Sequence, residues 1–463
     1  MISYAALAPH PPLIIPDVGG ARINDVSATV SGMRQMAQAV VESKPETIIF
    51  LTPHGNVFAD CLSVLTAREL RGGMASFGSR WEGGAPNDLE LVKKIAEASA
   101  AQDIGLVLLD SDTAKGHHLN TDLDHGILVP FYYLQEAGLE NVSLVAISIG
   151  FISELELYSF GQLIQQAARG LNRRVVVLAS GDMSHRLKND GPYDFHPDGP
   201  VFDQTIYQYL AGKQVQAILK MPEKLRSNAG ECGFRSIVIM LGALDGLEIE
   251  ASIFSYEGPF GVGYLTAGFQ PGARKDSLLA ELQAQERQAR QAAQEQESLQ
   301  VKWARMVLEN YVTKGDMPSL PPELNQLVQE EGAVFVSLKK NGQLRGCIGT
   351  ILPAYDNLAE EIAANAVSAG TRDPRFLPLS SSELDSLVYS VDVLGTPQSC
   401  RREELNPKRY GVIVKVGNRR GVLLPDLEGV DTVEEQLNIA LQKAGIKPNE
   451  DYEIERFEVK RYH

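Results

Sequence analysis

Three apolar runs in the first half of this sequence each end in a histidine set among Pro, Gly or Ser. Ser3-Tyr4-Ala5-Ala6-Leu7-Ala8 leads to Pro9-His10-Pro11-Pro12, and Thr47-Ile48-Ile49-Phe50-Leu51 leads to Thr52-Pro53-His54-Gly55. Val175-Val176-Val177-Leu178-Ala179 leads to Ser180-Gly181-Asp182-Met183-Ser184-His185. Imidazole is the commonest protein metal ligand and the side chain that exchanges protons near neutral pH. Three such groups brought together would make a metal centre or an acid–base site. Seven of the eight histidines precede residue 200, so the first half is where chemistry is expected. A single histidine after a strand is ordinarily a loop or cap residue bonded to its neighbours. No HxH or HExxH spacing marks a local metal motif either. Convergence of the three carries the argument.

Convergence requires the three runs to be neighbouring strands. They are almost continuously apolar, as strands covered on both faces are. Leu106–Leu109 and Val142–Ile149 read the same way, and helical patterns fall at 25–43, 87–101, 126–138, 153–170, 200–219 and 233–244. Strand–helix alternation predicts an α/β domain over 1–270, with a central, mostly parallel sheet flanked by helices. In such sheets ligands bind in the crevice at the carboxyl ends of the strands, where the three histidines stand. Residues 271–300 are rich in Ala, Gln, Glu and Arg, with no Gly after Gly272, and read as a helical linker. In 301–463, short strands at 333–338, 388–393, 411–416 and 421–424 and helices at 356–369 and 431–444 predict a smaller α+β domain.

The chain of 463 residues carries 43 Lys+Arg against 59 Asp+Glu, a net charge of −16, and each of the three zones is acidic. That argues against nucleic-acid binding, which needs clustered basic residues. It equally argues against a polybasic membrane-surface protein. No run of about 20 apolar residues exists to span a membrane. The start, Met1-Ile2-Ser3-Tyr4, lacks the basic segment of a signal peptide. Four cysteines in so long a chain are read as free thiols of a cytoplasmic protein.

The set Ala8-Pro9-His10-Pro11-Pro12-Leu13, Pro53-His54-Gly55, Asp124-His125-Gly126 and Gly181-Asp182-Met183-Ser184-His185 resembles the LigB-type (class III) extradiol dioxygenases, whose fold includes the Memo proteins. The resemblance runs over about 1–270. It implies a non-haem Fe(II) held by His10, His54 and Glu231, the last in Gly230-Glu231-Cys232-Gly233. It also implies His185 as catalytic acid/base and His125 as a substrate-contacting histidine. The expected reactants are a catechol or aminophenol-type aromatic and O2. Two imidazoles and a carboxylate leave about three positions open on iron, room for a chelating diol and dioxygen. His185 could take a diol proton and later return it. Read without the resemblance, Glu231 is an acid at a helix N-terminus, favoured there by the dipole. In Memo proteins a cysteine replaces the carboxylate, and here Cys232 follows Glu231 directly. A thiolate ligand would suit copper or zinc and a redox or interaction module without ring cleavage. As a structural residue, Cys232 would be a small buried hydrophobe. His117 and His118 read as a solvated loop or a lid, and His196 as loop structure. Tyr193, Tyr256 and Phe260 read as core or pocket lining.

Leu344-Arg345-Gly346-Cys347-Ile348-Gly349-Thr350, with Asp373-Pro374-Arg375-Phe376-Leu377-Pro378-Leu379, resembles the AMMECR domain family over about 297–463. Arg345 is placed to lower the thiol pKa of Cys347, but the zone has no histidine before His463 to act as its base. A buried strand cysteine between packing glycines is the competing reading. Homologues of both halves are associated with a radical S-adenosylmethionine protein, which makes such a protein the expected partner by analogy. Self-association is left open.

Overall fold

The computed structural model describes residues 1–463 apart from His118, Asn341, Gly342 and Glu428, so the His118 reading lies outside the described residues. Two compact units result, Met1–Gln285 and Glu286–His463. The division falls inside the helix Leu278–Glu295. The expected linker is therefore mainly one helix, preceded by the end of a strand that runs on to Arg274.

The first unit contains β1 (Ile2–Ala8), β2 (Thr47–Thr52), β3 (Leu62–Leu65), β4 (Glu69–Gly73), β5 (Glu82–Pro86), β6 (Leu106–Leu109), β7 (Ser143–Ser148), β8 (Val175–Ser180), β9 (Leu247–Glu257) and β10 (Tyr264–Arg274). Eight of them form a mixed sheet in the order β6-β3-β7-β2-β8-β1-β10-β9. β7, β2, β8 and β1 are mutually parallel, and β1, β10 and β9 pair antiparallel. β1, β2 and β8 are almost wholly buried, because helices cover both faces. On one face, Phe160, Ile164, Ile237 and Met240 pack against Leu7, Ile49 and Val177. On the other, Met33, Met36, Ile127 and Phe131 pack against Ala6, Phe50 and Leu178. Because β2, β8 and β1 are consecutive and parallel, their three histidine-bearing ends lie side by side, as the crevice argument requires.

The α/β expectation for this unit holds, with an antiparallel edge added. The helical pattern over 200–219 is two helices, Asp198–Ala211 and Val215–Leu219. The break is at Lys213, held at φ +56°, which ends a helix. β4 and β5 form a separate two-stranded hairpin.

The second unit adds β11 (Ala333–Lys340), β12 (Gln343–Gly349), β13 (Leu387–Leu394), β14 (Gln398–Ser399), β15 (Tyr410–Val416), β16 (Arg419–Leu423) and β17 (Glu453–Tyr462). They make an antiparallel sheet, β12-β11-β13-β17-β15-β16, with β14 on β17. Val334, Val336 and Leu338 alternate onto the face covered by helices Leu299–Lys314 and Leu358–Thr371, and the buried indole N–H of Trp303 donates to the Ala359 carbonyl at 2.8 Å. This is the expected α+β domain.

Candidate metal centre

The site grows from the ends of β1, β2 and β8. Past β1, the buried His10 donates its backbone N–H to Asp182 Oδ1 at 3.0 Å, tying that loop to the end of β8. Ser180, the last residue of β8, donates its hydroxyl proton to the Gly126 carbonyl. Its oxygen must therefore accept from His10 Nδ1, 2.9 Å away. A neutral imidazole with Nδ1 protonated has a bare Nε2. Burial, reinforced by the neighbouring histidines, holds His10 well below its ordinary pKa, so the ring is neutral. Its Nε2 lone pair points to His54 Nε2, 2.9 Å away, and lies 3.7 Å from Cys232 Sγ.

His54 is placed from the end of β2. Its backbone N–H donates to Thr52 Oγ1, and that hydroxyl donates to Asp124 Oδ1 at 2.8 Å. The same oxygen accepts the Gly126 N–H and so caps the helix His125–Glu136. One carboxylate thus sets His54 and His125 together, and their rings stack at 4.4 Å. A Cβ on Gly126 would come within 2.6 Å of Thr52 Oγ1, so this approach needs glycine.

Cys232 arrives from a third direction. Gly233 N–H donates to the Asp182 carbonyl and Asp182 N–H donates to Cys232 Sγ at 3.2 Å. Gly181 and Gly233 touch: a Cβ on Gly181 would fall 2.1 Å from Gly233 Cα. Cys232 Sγ is also 3.8 Å from His185 Nε2. Burial pushes the His125 and His185 pKa values down to about 4, leaving both as neutral bases at neutral pH. Burial also pushes the Asp182 carboxyl up to about 7 and the Cys232 thiol further above its ordinary value.

One nitrogen each from His10 and His54 and the sulfur of Cys232 lie within 4.8 Å of one another. A tetrahedral ion separates two nitrogen ligands by about 3.4 Å and nitrogen from sulfur by about 3.6 Å. The 3.7 Å nitrogen–sulfur separation matches this, the 2.9 Å between the two nitrogens is a hydrogen-bond length that an ion would widen by about half an ångström, and the bare Nε2 of His10 has the donor chemistry a metal needs. The residues present fit a transition metal with a soft ligand.

The structure brings together His10, His54, His125 and His185 and adds Cys232. It does not bring Glu231 into the three-donor group. Glu231 Oε2 instead accepts the Phe234 N–H at 2.6 Å, capping the helix Phe234–Ala243. Arg226 and Arg235 are the cations acting on it. His196 Nδ1 accepts the Asp198 N–H at the start of the helix Asp198–Ala211, a structural role, and His117 is exposed. Ser180, Thr52, Asp124 and Asp182 orient the site without having been singled out individually. Thr52 and Asp124 lie within two residues of His54 and His125, and Asp182 and Ser180 lie three and five residues before His185, so all four sit in the segments that carry the histidines, which is the signal that could have found them. Phe77, whose ring lies 5.3 Å from His125, gave no such signal.

Removing the Ser180 hydroxyl leaves His10 Nδ1–H without its acceptor and frees the ring to flip. We expect Ser180→Ala to weaken metal binding about tenfold or more, read by chelator competition, with little change in far-UV circular dichroism. Unchanged affinity would remove Ser180 from the site.

In the second unit, Cys347 Sγ accepts from the Ser337 hydroxyl at 3.2 Å, and its backbone N–H donates to Asp373 Oδ2 at 2.9 Å. Contrary to the expectation that Arg345 lowers the thiol pKa, Arg345 is engaged by Glu383 through Nε and Nη2. Burial pushes the Cys347 thiol up, and Arg375 is the cation that partly opposes it.

Comparison with known proteins matches residues 4–267 to the family described as the catalytic LigB subunit of aromatic ring-opening dioxygenase, and residues 301–462 to the AMMECR1 family. A relative from Clostridium acetobutylicum is 40% identical over 465 residues, covering 98% of each chain. One from Thermotoga maritima is 55% identical over 169 residues, covering 35% of this chain and 95% of its own. An uncharacterised Escherichia coli protein of known structure is 16% identical, covers 57% of this chain and 99% of its own, and superposes with a TM-score of 0.41. For an uncharacterised Pyrococcus horikoshii protein the identity is 32%, the coverage 35% and 88%, and the TM-score 0.33.

Proposed function

Since the chain belongs to the family of the catalytic LigB subunit of aromatic ring-opening dioxygenases, joined to an AMMECR1 domain, we propose that its first unit is a metal-dependent redox protein acting on a small molecule. His10, His54 and Cys232 are its ligands. The observation that carries this is the three-donor group within 4.8 Å. A thiolate beside two imidazoles selects copper or zinc over iron, and copper supplies one-electron chemistry when bound. The residues around it do the rest. Neutral His185, its Nε2 3.8 Å from Cys232 Sγ, accepts a proton from a ligand hydroxyl arriving at the centre. His125, stacked on His54, orients that ligand. The Ser180 and Thr52–Asp124 bonds hold the rings in register. On this reading the unit works without ring cleavage. By family analogy alone, its partner is a radical S-adenosylmethionine protein.

A second reading has specific support. The match over residues 4–267 is to ring-opening dioxygenases, and Glu231 is half-buried directly beside Cys232 in sequence. If its carboxylate left the helix cap, Fe(II) with two histidines and a carboxylate would result, acting on a catechol or aminophenol with O2.

Anaerobic purification followed by elemental analysis, then oxygen uptake with a catechol and aminophenol panel, tests both. Copper near one equivalent with no oxygen uptake supports the first reading; zinc, which has no redox chemistry, keeps the three-donor site but overturns its redox role. Iron with substrate-dependent uptake abolished by His54→Ala overturns it in favour of the second. No retained metal, and none taken up on titration with Cu, Zn or Fe(II), sinks both.

A further inference from the structure

Away from the metal centre, the first unit carries a cleft of about 650 Å³ that shares no lining residue with the histidine cluster. It lies at the far end of the helix Phe234–Ala243, whose first turn follows Cys232. Leu241 and Leu244 line its floor, with Val215 from the helix Val215–Leu219 and Ile249 from β9. The start of the helix Leu278–Glu295 forms another wall. Small-molecule sites are mostly apolar clefts of about 300–1,000 Å³ with a few placed polar groups.

The walls are set before any ligand arrives. Asp245 is 5% exposed and accepts from the Tyr158 and Ser277 hydroxyls and from the Leu278 and Leu279 N–H groups. One carboxylate thus ties the helices Glu154–Gly170 and Leu278–Glu295 to the end of Phe234–Ala243. Lys275 N–H donates to the Gly246 carbonyl at 3.0 Å and fixes the rim beside it. With these donors on it, the Asp245 charge is already taken up.

The charges on the rim are not. Lys213, Lys275 and Asp276 line the cleft as exposed residues. None of the three makes a side-chain hydrogen bond or ion pair among the described residues. Glu281 Oε1 accepts from Gln285 Nε2 at 2.8 Å, which leaves Oε2 for the cleft. Two ammonium groups and two carboxylates therefore edge one apolar floor without neutralising each other. A ligand of one charge would meet as many like charges as opposite ones. A ligand carrying both signs can satisfy both.

We propose that this cleft binds a short apolar zwitterion, the chemistry shared by a free aliphatic amino acid and a short aliphatic peptide. Its side chains cover Val215, Leu241, Leu244 and Ile249, and that burial drives binding. Its carboxylate faces Lys213 and Lys275, and its ammonium faces Asp276 and Glu281, which fixes its direction. The site stands apart from the metal-centre reading and does not depend on it.

Calorimetric titration of the full-length protein tests this with Leu-Leu, leucine, N-acetyl-Leu-Leu, Leu-Leu amide and Ser-Ser. Leu-Leu is expected to bind and Ser-Ser to give no signal. Each blocked peptide is expected to bind about three- to fivefold more weakly than Leu-Leu, the range of one exposed ion pair. Replacing both lysines, Lys213→Ala with Lys275→Ala, should bring Leu-Leu down to the affinity of its amide and leave the amide unchanged. Asp276→Asn with Glu281→Gln should do the same relative to the N-acetyl form. Ala217→Trp, on a half-buried wall of the cleft, should abolish binding. Should that variant fail a thermal melt, the exposed charge variants still decide. Leucine binding as tightly as Leu-Leu assigns the site to the free amino acid, and weaker binding assigns it to the peptide. Equal affinity for free and blocked peptides, binding of Ser-Ser, a folded Ala217→Trp that binds like the wild type, or no binding of Leu-Leu at millimolar concentration overturns the proposal.

Discussion

Cys232→Ala is expected to strip the metal from the first unit, while Glu231→Gln is expected to keep it. In the proposed site three donors hold the metal, and losing one of three costs far more than the 10- to 100-fold typical of an outer partner. Metal content after dialysis should fall below about a tenth of the wild-type value. Glu231 should show a different signature. Its carboxylate caps the helix Phe234–Ala243 through the Phe234 N–H, so Gln should lower stability by roughly 1 kcal/mol and leave metal content alone. Elemental analysis with a thermal melt on each variant decides. The crossed result, metal lost with Glu231→Gln and kept with Cys232→Ala, would reinstate the two-histidine, one-carboxylate iron site and displace Cys232.

Asp373→Ala should be the most damaging single change in the second unit. The Asp373 side chain is almost fully buried. Oδ2 accepts the Cys347 N–H, and Oδ1 accepts the Arg375 N–H and Nε–H. Truncation leaves the Cys347 N–H unpaired at the edge of β12 and removes charge-assisted bonds. About 2–4 kcal/mol is expected. Residue-resolved thiol labelling should show Cys347 reacting faster while Cys61 keeps its rate. Equal labelling rates would mean that Asp373 does not hold β12. The same bonds hold the Asp373 carboxyl well below the usual carboxylate range, chiefly through Arg375. A depressed folded pKa contributes stability that is present above the unfolded value, near 3.9, and lost as pH falls through the folded one. The second unit should therefore weaken below about pH 4, and Asp373→Ala should flatten that loss.

The parts of this molecule legible in the sequence were those whose pattern is local. β1, β2 and β8 are unbroken apolar runs with a histidine just beyond, so both their burial and their shared crevice could be read. Antiparallel β9 and β10 escaped. Leu247–Glu257 alternates between half-buried and exposed positions, and alternation at a sheet edge is a weaker signal than a buried run. The β4–β5 hairpin carries paired glycines instead of β-formers, because a Cβ at Gly72 would meet the Leu123 carbonyl at 2.5 Å. That constraint comes from a distant loop and leaves no periodicity. The contest between Glu231 and Cys232 could not be settled from order in the chain. Adjacent residues point in different directions, and which one faces the histidines depends on how the turn 230–233 is laid against Asp182. Phe77 was invisible for the same reason, since its partner His125 is remote in sequence.

The contact between Gly181 and Gly233 limits how this site can diverge. Gly181 accepts no side chain without parting two backbones, whereas a Cβ on Gly233 would meet the flexible end of Met183, Cε, at 2.9 Å and the Asp182 carbonyl at 3.1 Å. A saturation library at 181 should return glycine, whatever is selected, because its Cβ would fall 2.1 Å from Gly233 Cα. On the proposed ligand set, the backbone beside the third donor is in effect a fixed mount where Gly181 meets Gly233, and variants with a new metal preference are expected from exchanging the side chains at 231 and 232 upon it.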